Sequence, residues 1–155
     1  MYLTKRKVSL FCGLFFIAFV VSFIMAKKIS PIGLKLWGDI NHNSGIAIDG
    51  YDPVAYQTIS KATLGSSQYK YHWHGTDWHF SSKENMSLFK SSPKKYAPQY
   101  GGYCSFAVSK GVTATTSPEV WYVENDKLYL FMDEEVKADW IKSKGVKNSD
   151  ENWSH

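Results

Sequence analysis

Tyr69-Lys70-Tyr71-His72-Trp73-His74-Gly75-Thr76-Asp77-Trp78-His79-Phe80 is the stretch on which the fold turns. Aromatic and polar side chains alternate on both sides of a glycine, the period of two half-buried strands joined by a tight turn. A two-residue type II′ turn at Gly75-Thr76 pairs His74 with Asp77, Trp73 with Trp78, His72 with His79 and Tyr71 with Phe80. One face of the hairpin then holds Tyr71, Trp73, Trp78 and Phe80, and the other holds His72, His74, Asp77 and His79. A three-residue loop would mix the two kinds. The aromatic face is expected to build the core and the histidine face to meet solvent.

Downstream of the hairpin, Ser81 with Glu84 reads as a capping box opening a helix to about Lys90, with Met86 and Phe89 as its apolar pair. Pro93 and Pro98 bracket a short turn. Gly101-Gly102 permits a bend into Tyr103–Val108, a helical turn or two closed by Gly111. Val120–Glu124 and Lys127–Met132 form a second hairpin around Asn125-Asp126. Asp133 caps a helix with Val136, Trp140 and Ile141 as its buried stripe, ended by Gly145. The tail from Val146 is polar apart from Trp153. Upstream, Ile46-Ala47-Ile48 is a short strand stopped by the Asp49-Gly50 turn, and the Pro- and Gly-interrupted stretch before it reads as a linker. The expected architecture is one small α+β domain with two β-hairpins and short helices, residues 45–155, behind a linker at 27–44.

A chain of 155 residues has room for little more than that domain. Apolar residues at 44% and charged residues at 21% exclude a disordered chain, and two cysteines exclude a disulfide scaffold. All 14 acidic residues lie after position 28, whereas Lys5, Arg6, Lys7, Lys27 and Lys28 precede the globular part. The remainder is close to neutral, so it has no concentrated basic face with which to grip nucleic acid.

Val8–Met25 carries no charge over 18 residues. As a helix it would span about 27 Å, close to the hydrocarbon core of a bilayer. It exceeds the usual apolar core of a cleaved signal peptide and lacks a small-x-small cleavage site, so an uncleaved signal anchor over 8–26 is expected. Secretion after cleavage is the alternative. Residues 1–7 would be cytoplasmic by their positive charge, the domain would face the periplasm or exterior, and Cys12 would be an apolar side chain in lipid. Cys104 would then be the only exported cysteine, unpaired in a compartment that oxidises thiols.

Two stretches, Asp49-Gly50-Tyr51-Asp52-Pro53-Val54-Ala55-Tyr56 and Lys95-Tyr96-Ala97-Pro98-Gln99-Tyr100-Gly101-Gly102-Tyr103-Cys104, resemble the YHS-domain (seleno)protein family, in its bacterial membrane-anchored or exported subgroup. The resemblance runs from about Ile46 to Trp153. It implies a YHS-like fold and a kinship with metal-handling modules. The cysteines that short YHS modules carry after Asp-Pro-Val and in Phe-Cys-Ser-x-x-Cys fall here on Ala55, Ser81 and Asn85. That soft-metal set is therefore missing, and Cys104 is this subgroup's own cysteine.

Cys104 and His79 are the leading metal candidates, for copper before zinc, because a thiolate with an imidazole is a ligand pair both metals favour. His72, His74 and Asp77 form a lesser set. Asp52, Tyr51 and Tyr103 are candidate pocket residues, although Asp-Pro and Asp-Gly are also ordinary turn chemistry. No catalytic residue is assigned, since no phosphate loop, serine elbow or zincin motif is present. The expected function is membrane-anchored metal handling through Cys104. The alternatives are an exported thiol redox protein using Cys104, or an interaction module without chemistry that presents the hairpin to a partner the sequence does not specify.

Overall fold

The computed structural model describes residues 5–34 and 36–154, without the side chains of 5–12 and 14. In chain order the elements are α1 (Lys5–Ala26), β1 (Ser30–Pro31), β2 (His42–Asn43), β3 (Ile46–Ala47), α2 (Ala55–Thr58), β4 (Ser66–Trp73) and β5 (Thr76–Phe80). Then follow α3 (Lys83–Ser91), α4 (Pro93–Tyr96), α5 (Ser105–Ser109), β6 (Val112–Thr113), β7 (Ser117–Glu124), β8 (Lys127–Phe131), α6 (Glu134–Lys142) and α7 (Val146–Trp153). A four-stranded sheet runs in the order β2-β3-β5-β4, and β1-β6 and β7-β8 form two antiparallel pairs. The result is a mixed α+β domain of hairpins and short helices.

The decisive hairpin forms, with its turn one residue earlier than expected. His74 and Gly75 both adopt positive φ, at 50° and 75°, which makes a type I′ turn. Trp73 therefore pairs with Thr76, Tyr71 with Trp78, His72 with Asp77 and Lys70 with His79. Each pairing moves by two residues in total, so the alternation survives: Tyr71, Trp73, Trp78 and Phe80 still share a face. What selects this register is the packing on that face. Phe89 of α3 sits 5.1–5.6 Å from the rings of Trp73, Trp78 and Phe80, and the Trp78 indole N–H donates to the Trp73 carbonyl at 3.1 Å.

The cap of α3 is Ser82 and not Ser81: the Ser82 hydroxyl accepts from Asn85 N–H at 3.1 Å. The Ser81 hydroxyl is engaged elsewhere. Asp133 caps α6 through Val136 N–H at 2.9 Å, as expected. Of that helix's expected stripe, Trp140 is buried, Val136 half-buried, and Ile141 lies 40% exposed.

Strand β8 is the wall between two hydrophobic clusters. Because side chains alternate, Leu128 and Leu130 face the cluster of Ile48, Val54, Trp78, Phe80 and Phe89, while Tyr129 and Phe131 face that of Tyr103, Cys104, Val108 and Trp140. The second cluster exists because the tail is not a tail. Helix α7 packs on α5, and Ser149 accepts the Trp140 indole N–H at 3.0 Å while donating to the Ser105 carbonyl.

The 27–44 stretch is not a free linker either. Ser30-Pro31 pairs with Val112-Thr113, Ile32 and Ile40 are buried, and the buried Asn41 amide donates to Gly102 O and Thr116 Oγ1, both at 3.1 Å. Proline and glycine break periodicity without preventing burial, so the irregularity of this segment is legible in the sequence and its packing is not. Among the described residues no helix is long and apolar enough to be identified as crossing a membrane. Residues 1–4, 35 and 155 lie outside the described residues, as do the side chains of 8–12 and 14 in the expected 8–26 span, Cys12 among them.

Candidate functional site

Asp52 is the most heavily engaged polar side chain in the domain. It is fully buried, in the turn that leads into α2, and its own N–H donates to Thr63 O. Its Oδ1 accepts from Val54 N–H at 2.9 Å, an Asx turn that starts the helix. Its Oδ2 accepts from Ser81 N–H at 2.8 Å, the Ser81 hydroxyl at 2.6 Å and Asn85 Nδ2 at 2.7 Å. Ser81 and Asn85, with the buried Ala55 three residues beyond Asp52, are the positions where short YHS modules carry cysteine. Ser81 and Asn85 thus meet at a carboxylate already engaged in four hydrogen bonds. Asp52 is more than turn chemistry, yet it lines no open pocket.

Tyr51 and Tyr103 do not join it. The Tyr51 hydroxyl reaches Glu119 at 3.2 Å on the surface. Tyr103 is buried in the second cluster, donating to the carbonyls of Trp37 and Gly38 at 2.9 and 3.1 Å, and burial pushes its phenol up to about 12.

Cys104 precedes α5 and is wholly enclosed, its N–H bonded to Ala114 O at 3.0 Å and its backbone bridged to Leu130. Burial raises the thiol above its ordinary value, and backbone contacts at Ala107, Met132 and Phe106 offset that only in part. Cys104 stands at the N-terminus of α5, where free N–H groups favour a thiolate, but desolvation outweighs them. We expect an aromatic disulfide reagent to label Cys104 in the reduced, folded protein at least about a hundredfold more slowly than in urea, since access requires opening of the core. Labelling at equal rates in both would show the thiol to be exposed.

The histidines are spread over separate places. His72 Nδ1 lies 2.7 Å from Asp77 and Lys70 Nζ 3.1 Å from it, so hydrogen bonds from His72 and then Lys70 hold the Asp77 carboxyl below its usual range. His74 sits in the turn with its ring 4.2 Å from that of Trp73. His79 is half-buried against Gly50, and Cys104 belongs to the other cluster. Among the described residues there is no group of three or more His, Cys, Asp or Glu able to hold a metal ion. Among the described residues the Cys104 thiol is enclosed in one cluster to which His79 does not belong, so as folded the pair is not assembled into a copper or zinc centre.

An open concavity lies beside the hairpin turn. A groove of about 650 Å³ is lined by Trp73, His74, Lys94, Pro98, Tyr100 and Trp153, with Asp39 and Asp150 along its rim. Tyr100 is fixed in it by a 2.8 Å bond to Asp150, and Trp153 meets the Tyr100 ring edge-on with centroids 6.0 Å apart. These residues come from the end of β4 and the turn after it, from α4 and the 98–100 stretch that follows, and from α7, remote in sequence. Each segment could be read in the sequence, but their meeting in one groove could not.

Comparison with known families gives one result. Residues 59–100 are a YHS domain. The YHS match spans β4, β5, α3 and α4, including Ser81, Asn85 and all the hairpin histidines, and stops short of Cys104. It is narrower than the Ile46–Trp153 resemblance, and the membrane-anchored subgroup does not follow from it. No curated protein and no solved structure matches the chain.

Proposed function

We propose that this chain is a membrane-tethered YHS binding module that works through the groove beside its hairpin turn and performs no covalent chemistry. One observation carries the reading: Cys104 and Asp52 are both fully enclosed, while the groove is open and aromatic. A site made of Trp73, Tyr100 and Trp153 favours planar or apolar ligands and gains little from proton transfer.

The tether is α1. Its 22 residues would extend about 33 Å, and from Phe15 to Met25 its large apolar side chains are exposed on every face. A helix apolar all round needs a nonaqueous surrounding. Lys5, Arg6 and Lys7 in its first turn favour a cytoplasmic start and a domain on the periplasmic or outer side.

The test is binding of anilinonaphthalene sulfonate to the reduced, tag-free full chain in lipid nanodiscs, beside empty discs. A single site lost in a Trp73→Ala, Trp153→Ala double variant supports the groove. Signal unchanged by the double variant overturns it. Copper and zinc handling through Cys104 and His79 is the second reading, favoured by the YHS match, and the same preparation titrated with copper(I) and zinc tests it. Tight stoichiometric binding lost in Cys104→Ala would establish a metal centre and require the core to open around the thiol.

A further inference from the structure

The junction between α1 and the domain has no slack. Lys28 stands at φ 51°, Ile29 N–H donates to Ile24 O at 3.0 Å and Lys28 N–H to Met25 O at 3.2 Å. That is a Schellman cap, built with a lysine where glycine is usual. The strained conformation is held from the domain side. The Lys28 ammonium bonds Asn41 Oδ1 at 3.3 Å and the His42 carbonyl, and burial lowers its pKa. The carbonyls of Lys27 and Lys28 accept from Thr115 N–H and Thr113 Oγ1, both at 2.9 Å. The helix ends at Ala26 and the domain's hydrogen bonds begin at the next residue.

We infer that the domain lies directly on the bilayer surface in one orientation, with Leu34 and Leu36 seated in the lipid interface. The inference rests on the anchor reading above. If α1 spans the bilayer, its last turn lies at the lipid–water boundary, and Thr113–Thr115 are bonded to it without an intervening stalk. Leu34 and Leu36 are 62% and 64% exposed and are the exposed large apolar side chains nearest the helix in sequence. Apolar side chains at that depth gain by entering the acyl boundary. Ile32 and Thr113 line the groove, so its wall is continuous with the helix exit. The groove then meets its ligand at the lipid surface.

Fluorophores attached singly at Phe19→Cys, Leu34→Cys and Leu36→Cys, in a Cys12→Ser background in phosphatidylcholine vesicles, test this. Native Cys104 remains enclosed. The expected result is quenching at all three sites by nitroxide-labelled lipid and protection of all three from aqueous iodide. Quenching by lipid at Phe19, with Leu34 and Leu36 open to iodide, overturns the docked domain and leaves the anchor standing. Iodide quenching at Phe19 removes the anchor itself, and the inference with it.

Discussion

Replacing Asp52 by alanine is expected to cost about 3–5 kcal/mol of folding stability, the range for removing one partner from a buried charged network. The reason is what stays behind. Val54 N–H, Ser81 N–H, the Ser81 hydroxyl and the Asn85 amide all point at the carboxylate. Without it, several donors are buried with no acceptor, and each such group costs roughly 1–3 kcal/mol unless water enters. Against a total stability of about 5–15 kcal/mol for a domain, this is enough to leave part of the population unfolded. Urea unfolding of the detergent-solubilised chain, followed by tryptophan fluorescence, measures it. Ser81→Ala alone should cost about 1 kcal/mol, since its N–H still reaches Asp52. In the double variant the two losses should fail to add, because they remove members of one network. A loss below about 1 kcal/mol for Asp52→Ala would mean that the cluster is hydrated and open. The YHS cysteine positions would then again be a place for ligands.

The parts of the fold that could be read in advance are those governed by local alternation and caps. The face assignment of the first hairpin, the Asn125-Asp126 turn and the Asp133 cap each depend on residues within a few positions of one another. The exact register of the first hairpin did not, because Phe89 chooses it from α3. The shift of the helix cap from the expected Ser81 to Ser82 follows from Asp52, 29 residues upstream, which engages the Ser81 hydroxyl. The same limit governs the site. That Cys104 is rare in the chain was legible, but its enclosure arises from β8 and the C-terminal helices, and no local pattern announces it. Polar segments were read too simply: Asn41, Thr116 and Ser149 are buried with their hydrogen bonds made, while Leu34 and Leu36 are exposed. Hydropathy alone places those residues on the wrong side of the surface, since satisfied polar groups bury at little cost.

Gly101→Ala is the second large effect expected, and it bears on whether residues 37–41 belong to the domain. Gly101 stands at φ +62°, and a Cβ placed there would lie 1.8 Å from the Asp39 carbonyl oxygen and 2.9 Å from its carbon. Nothing about that contact can be relieved by a side-chain rotation, because both atoms are backbone. The segment is also stitched down: Asn41 N–H donates to Gly101 O at 2.8 Å, the Asn41 amide holds Gly102 O, and Tyr103 holds the carbonyls of Trp37 and Gly38. Alanine would pay roughly 1–2 kcal/mol for the left-handed backbone and about 1–3 kcal/mol for displacing the strap. The expected loss is therefore about 2–5 kcal/mol. Gly75→Ala is the control, since Gly75 has φ +75° with open space around it and should show the backbone cost alone. The two variants should also part in hydrogen exchange: the Asn41 amide loses protection in Gly101→Ala and keeps it in Gly75→Ala. Equal costs and equal protection would mean that the strap yields freely. The Asn41 and His42 contacts of Lys28 would then give little support, and the helix would be held to the domain by Thr113, Thr115 and the β1–β6 pair alone.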